Sequence, residues 1–369
     1  MVNGKFYSTG GLSDEALKRY TDVFGHTDIL ARVIEEENSS SKYSEIKNKN
    51  ISIFNGLNLD SNQLEKLVSE VECIIIRMPS FLGIKVLKYA KKFNKPYLIE
   101  LVACPWDSLW NHSIKGKIIA PYMTIKTKKI VNEAEYVLYV TNEFLQNRYP
   151  TKGKSVACSN VVISSVNNEN LELRLNKILE NKKPIIIGTI GALDVKFKGQ
   201  WRIIKALGKL KKEHQNIEYE YHLVGNGNSE YLNRIKEKYN LQNEVKFIGG
   251  LPHSEINHWL KNIDIYVQPS QQEGLPRALI EAMSQGLPCF GAKTGGIPEL
   301  IGEKFIFNKG KNESKEILAI LDSFTNDIMS TQASVNMKES KQYIYTLIET
   351  RRKEFFEDFM QFVKSKEGQ

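Results

Sequence analysis

The sequence predicts an α/β protein built from two doubly wound, Rossmann-like domains that face each other across a central cleft. Three observations predict it. Short β-branched apolar runs alternate with helical patterns, as in parallel sheets with crossover helices. The alternation occurs twice, separated by a polar stretch from Asn167 to Pro184. The length, 369 residues, suits two cores better than one. The expected organisation is a first domain over residues 1–166, a linker over 167–183, a second domain over 184–345 and a C-terminal helix over 346–369 that packs on one domain or the other, the first being an option.

The first domain offers strands at Lys5–Thr9, Asp28–Ile34, Ile51–Phe54, Cys73–Met78, Pro96–Val102 and Tyr136–Val140. Helical patterns at Ser13–Phe24, Gln63–Val71, Gly83–Phe93 and Lys115–Glu135 lie between them. The second offers strands at Ile185–Ile190, Tyr219–Val224, Val245–Ile248, Ile263–Gln268, Pro288–Gly291 and Lys304–Phe307. Its helices are Trp201–His214, Ser229–Tyr239, Ser254–Lys261 and Arg277–Gln285. From Ser340 to Lys366 an aromatic stripe (Phe355, Phe356, Phe359, Phe362) reads as a helix packed into a core.

Composition narrows the function classes. Hydrophobic residues make up 41% and charged residues 25%, ordinary for a globular enzyme. No apolar run approaches the roughly 20 residues that span a bilayer. The first residues lack the apolar core of a secretory signal, so the expected compartment is the cytoplasm. Cys73, Cys104, Cys158 and Cys289 are scattered, and no Cys/His spacing suits a metal. Cys73 and Cys289 adjoin apolar runs and read as buried thiols. The net charge of +8 implies affinity for anionic surfaces.

The stretch Glu273-Gly-Leu-Pro-Arg-Ala-Leu-Ile-Glu281 carries the most chemistry. It follows a strand and opens a helix, where free backbone N–H groups favour an anion. A carboxylate stands on either side, and carboxylates accept hydrogen bonds from hydroxyls. A diphosphate flanked by polyols fits that pattern. Pro276 lacks an N–H, whereas Gly274, Leu275 and Arg277 keep theirs.

Further elements follow in a fixed order: Gly191-Ala-Leu-Asp-Val-Lys-Phe-Lys198-Gly199, then Gly225-Asn-Gly227, Gly249-Gly-Leu251-Pro, Glu273 to Glu281, and Gly295-Gly-Ile-Pro-Glu299. In this the second half resembles the retaining glycosyltransferases of family 4, the group 1 transferases, which have the GT-B fold. In the first half, Gly10-Gly11 matches a glycine-rich loop that faces the cleft in that family. The resemblance implies that a nucleoside-diphosphate sugar is the donor substrate and that no cofactor or metal is needed. It gives Lys198 the diphosphate, Glu273 the hydroxyls of the transferred sugar, Glu281 the ribose hydroxyls and Leu251 the base pocket. Gly11, Gly225, Gly274 and Leu275 complete the donor side, and Lys198 and Glu273 are the catalytic candidates. On bland readings Lys198 is a surface lysine, Glu281 a solvated helix residue and Leu251 a core leucine.

Two positions depart from the family. Its usual arginine, six residues before the lysine, is Ala192 here, with Lys196 and Arg277 the nearest substitutes in sequence. Its usual histidine after the strand Pro96–Val102 is replaced by Val102-Ala-Cys-Pro-Trp-Asp107. Trp106, Asp107 and His112 suit an acceptor-side sugar site, and a loop packed on its own tryptophans fits equally well.

No Asp-x-Asp occurs, so the metal-bridged diphosphate site of the other main transferase fold has no support. The expected function is transfer of a hexose-type sugar, with retention, to a glycan or lipid-linked glycan in cell-surface polysaccharide assembly (capsule, O-antigen or exopolysaccharide). The alternatives are a catalytically impaired, transferase-like binding protein and a nucleotide-sugar epimerase of the same fold. Between Asp107 and Glu133 no acid occurs, while Lys115, Lys117, Lys126, Lys128 and Lys129 do. That stretch is compatible with an anionic membrane surface on the inner face of the cell membrane, and equally with a solvated helix. Nothing else supports nucleic acid as a partner.

Overall fold

The computed structural model describes residues 1–2, 5–8, 12–35, 44–110 and 113–367. In the second half, six parallel strands pair in one sheet. Ile185–Ile190 and Ile265–Gln268 are its two middle strands. Tyr219–Val224 and Val245–Gly249 extend it on one side, Cys289–Ala292 and Ile306–Phe307 on the other. The middle strands are mostly apolar, Thr189 and Gln268 apart, because helices cover both faces, as parallel sheets require. Their carboxyl ends carry the glycine-rich turns, which places those turns at the usual ligand side of such sheets.

The first half is less continuous. Ile74–Met78, Tyr97–Leu101, Tyr136–Tyr139 and Lys154–Ala157 form a parallel sheet in that order. Thr27–Ala31 and Ile51–Asn55 form a separate parallel pair. The expected strand Lys5–Thr9 is a short antiparallel pairing of Tyr7–Ser8 with Ser44–Glu45. The edge strand Lys154–Ala157 was not expected; its residues are half-buried or exposed and carry little apolar signal.

The stretch 167–183, expected to be a linker, contains the helix Asn168–Leu179. Asn167 caps it through the Glu169 amide at 2.9 Å. Leu171, Leu175 and Ile178 share one face and pack on the second-half core. Buried Arg174 donates to the Leu260 carbonyl at 2.9 Å, and Lys177 pairs with Asp264 at 2.8 Å. The polar residues that suggested a linker line the outer face.

The last helix, Tyr345–Glu367, crosses back to the first half. Phe356 and Phe359 are fully buried against Tyr20, Phe24 and Tyr136. Buried Arg352 donates to the Ser159 carbonyl at 2.7 Å, and Lys154 pairs with Asp358 at 2.7 Å. Cys289 is buried and Cys73 half-buried.

Candidate active site

A cavity of about 170 Å³ opens where the two halves meet. Ala103, Cys104, Asp107 and Ser108 line it from the first half, and Phe197, Lys198, Gln272, Glu273 and Gly274 from the second. The sequence places Lys198 and Glu273 in separate motifs; the fold brings the ammonium to the carboxylate at 2.9 Å.

Local geometry explains the approach. The short turn Lys196–Lys198 ends at Gly199, whose φ of +78° suits glycine. A Cβ at Gly199 would stand 2.0 Å from the Pro269 carbonyl oxygen, so only glycine lets this turn lie against the strand end. The Gln271 amide then donates to the Phe197 carbonyl at 2.7 Å.

Glu273 is backed by a chain of polar groups. Buried Tyr266 donates to Gln268 Oε1 at 2.9 Å, and Gln268 Nε2 donates to Glu273 Oε1 at 3.1 Å and to Ser270 Oγ at 2.9 Å. Lys198 also binds Oε1. Among the described residues nothing donates to Oε2, which leaves it for a hydroxyl. The Gly274 and Leu275 amides likewise donate to no described protein acceptor, just ahead of the helix Arg277–Ser284. Leu275 itself packs with the second-half core.

Glu281 sits on that helix, only 9% exposed and away from the cavity lining. Burial raises its pKa above the ordinary glutamate value, with His253 and Arg277 pulling the other way. Gly225 ends the strand Tyr219–Val224, and its amide donates to the Gly249 carbonyl at 2.9 Å. Leu251 is half-buried against the second-half core, outside the cavity lining.

On the first-half side, Val102 to Trp110 was expected as a loop and contains the helix Pro105–Trp110. Asp107 reaches the cavity and pairs with Arg148 at 3.4 Å. Trp106 does not line it: its ring stacks on Trp110 at 4.8 Å and packs on the first-half core. The Cys104 thiol shares a hydrogen bond with the Tyr149 hydroxyl at 3.3 Å, and burial raises its pKa, so it is a poor nucleophile. Gly11 and His112 lie outside the described residues.

Neither sequence substitute for Ala192 lines the cavity. Lys196 stands 4.7 Å over the Tyr231 ring, and Arg277 is exposed at the helix start. Two cations that the sequence did not single out adjoin residues at the cavity. Arg148 binds Asp107, and Lys309 approaches the Gln271 carbonyl at 3.5 Å. Burial lowers the Lys309 pKa, attraction to Asp107 opposes this, and the charges of Arg202 and Arg148 add to the lowering. Lys309 follows the edge strand Ile306–Phe307 at its carboxyl end, the one sequence signal that could have flagged it.

Comparison with known proteins gives four findings. The family model for glycosyl transferases group 1 matches residues 172–340. Protein CapJ of Staphylococcus aureus is 31% identical over 357 residues, covering 92% of this chain and 86% of CapJ. The amylovoran biosynthesis glycosyltransferase AmsK of Erwinia amylovora is 33% identical over 178 residues, covering 44% of this chain and 42% of AmsK. Among solved structures, Anabaena HepE in complex with UDP superimposes with a TM-score of 0.61 at 18% identity, covering 84% of this chain and 86% of HepE. At that identity the likeness is one of fold.

Proposed function

The chain belongs to the group 1 glycosyl transferases and has the GT-B fold, and from that premise we propose that it moves a hexose-type sugar, with retention, from a nucleoside diphosphate to a glycan or lipid-linked glycan. The observation that carries this reading is the meeting of Lys198 and Glu273 at 2.9 Å in a cavity walled by both halves. An arriving diphosphate would draw the Lys198 ammonium from Glu273, and the Gly274 and Leu275 amides would add donors without reorganising. Glu273 would then hold a sugar hydroxyl. Buried Glu281 would accept from the ribose, and those bonds would offset the cost of its burial.

In a front-face transfer the anomeric carbon–phosphate bond breaks as the acceptor oxygen bonds to the same carbon. The acceptor proton passes to the departing phosphate, so the protein need supply no base. Its role is to stabilise charge on the leaving diphosphate without a metal. Arg148, paired with the lining residue Asp107, and Lys309, near the Gln271 carbonyl, are the cations that would take the place of the arginine absent at Ala192. Likeness to a protein of amylovoran biosynthesis supports a setting in polysaccharide assembly.

The helix Ile114–Glu133 supports peripheral contact with an anionic membrane as part of this reading. Ile114, Ile118, Tyr122 and Ile125 are 80%, 75%, 57% and 70% exposed along one face. Lys115, Lys117, Lys126, Lys128 and Lys129 flank them. Among the described residues no helix is long and apolar enough to cross a membrane, so this face would lie on the surface. Such a contact would bring a lipid-linked acceptor to the cavity, since the helix packs against Pro105–Trp110.

Nucleotide release from nucleotide-sugar donors, with membrane lipid extract as acceptor source, tests the transfer reading. Lys198→Ala should lower turnover by roughly a hundredfold or more. Equal turnover in the variant and the parent would contradict the assignment.

A further inference from the structure

We propose that Glu299 is a positioning residue that ties the first half to the second and sets where the Arg148–Asp107 pair stands in the cavity. The proposal rests on the transfer reading for its consequence, though not for the contact itself. Glu299 ends the turn Gly295-Gly-Ile-Pro-Glu299 of the second half. Its carboxylate accepts from three backbone amides of the other half: Asn142 at 2.9 Å, Glu143 at 2.9 Å and Phe144 at 3.0 Å. Those amides lead into the short helix Phe144–Arg148. The next amide, of Leu145, is already held by Thr141 Oγ1 at 3.0 Å, so the helix has a cap of its own.

Three converging N–H groups need an acceptor with two oxygens and a negative charge. A carboxylate supplies both, and bonds to a charged acceptor are the stronger kind. An amide side chain would offer a single neutral oxygen.

Both ends of this tie are anchored at the cavity. On the second-half side, Gly295 has a φ of +55°, and a Cβ there would stand 2.0 Å from the Glu273 carbonyl oxygen. The Gly296 amide donates to the Gly274 carbonyl at 2.8 Å. The turn is therefore fastened to the backbone of two cavity residues. On the first-half side, Arg148 ends the helix that Glu299 holds and reaches Asp107 at 3.4 Å.

The tie also lies beside a crossing of the chain. Asn142 donates through its side chain to the buried Tyr343 hydroxyl at 3.2 Å. Next to Tyr343, Ile163 and Ile344 form a parallel bridge, with the Ile163 amide on the Tyr343 carbonyl and the Tyr345 amide on the Ile163 carbonyl, each at 2.9 Å. Glu299 thus holds the halves close to where the chain crosses between them. A shift there would move the Asp107 wall relative to Lys198 and Glu273.

The test uses the full chain with Glu299→Ala, Glu299→Gln, Arg148→Ala and the Glu299→Ala/Arg148→Ala double variant. Hydrogen exchange comes first and needs no ligand. Glu299→Ala should speed exchange at residues 142–148 by about tenfold or more, Glu299→Gln by less, and Arg148→Ala should leave the 142–144 amides protected. Exchange at 142–144 unchanged in Glu299→Ala would overturn the tie. Uniform acceleration over the whole chain would mark a general loss of stability and overturn it too.

Turnover of nucleotide sugars comes second. Glu299→Ala should lower kcat about tenfold with donor KM within about twofold, because the donor wall is untouched. Combined with Arg148→Ala, the losses should be less than multiplicative, since both act through one placement. An unchanged kcat, or losses that multiply, would overturn the positioning role. Absence of any turnover in the parent protein would instead count against the transfer reading, and the exchange result would still decide the tie.

Discussion

Lys198 meets Glu273 at 2.9 Å on one wall of the cavity, and Asp107 on the facing wall meets Arg148 behind it at 3.4 Å. The first pair is built on strand ends. Glu273 is braced by Gln268 and buried Tyr266, and Lys198 by the Gly199 turn against Pro269. The second pair stands on two short helices, Pro105–Trp110 and Phe144–Arg148. The difference suits a division of labour. Charge developing on a leaving diphosphate needs donors fixed in advance. Acceptors differ in shape, and a wall on short helices can be altered without disturbing the donor side.

The largest expected effects fall on the braced wall. Lys198→Ala should reduce kcat by roughly a hundredfold or more, whereas Arg148→Ala should reduce it by only about tenfold and act mainly on acceptor KM. Steady-state kinetics with both substrates varied would check this. Equal losses in the two variants would break the proposed asymmetry.

Glu281 sharpens the comparison from a different direction. Its pKa is raised, burial being the main cause, so the folded protein holds that proton more tightly than the unfolded chain. The stability this group contributes is fullest when it is protonated. It is lost as pH rises from the ordinary glutamate range through the raised folded value. Glu281→Gln removes the penalty, so its Tm at neutral pH should exceed that of the parent. Donor affinity should fall about tenfold, because a charged acceptor is lost. Thermal unfolding with and without nucleotide reads both effects. A lower Tm with unchanged affinity would mean that Glu281 serves the core.

The smallest effect on turnover in detergent, and the largest on vesicles, belongs to the apolar face of Ile114–Glu133. Withdrawing one isoleucine from an apolar phase costs about 1.5–3 kcal/mol, against about 1 kcal/mol for one lysine near an anionic surface. Ile118→Asp should therefore weaken binding to phosphatidylglycerol vesicles more than Lys117→Ala does. Sedimentation with vesicles checks it, and equal binding by both variants would remove the apolar face from the account.

The braced wall was legible in the sequence because each of its parts is a turn at a strand end, with glycine, lysine or glutamate in a fixed order. The opposite wall was not: Arg148 pairs with Asp107 from a segment remote in sequence, and Lys309 is marked only by its place after an edge strand. For Trp106 the sequence allowed a sugar site or a loop packed on its own tryptophans, because an aromatic in a cleft-facing segment can turn either way, and it stacks on Trp110. Asn168–Leu179 was read as linker because its asparagines, glutamates and lysines outnumber its apolar residues. The arrangement of Leu171, Leu175 and Ile178 on one face was the signal that counted.

The central claim is that the Lys198–Glu273 wall takes the diphosphate of a nucleotide sugar. Calorimetric titration of the parent protein and Lys198→Ala with UDP, GDP, ADP and dTDP tests it most directly. The parent should bind at least one of them saturably, and Lys198→Ala should bind it about tenfold or more weakly. Binding by neither protein, or equal binding by both, would contradict it.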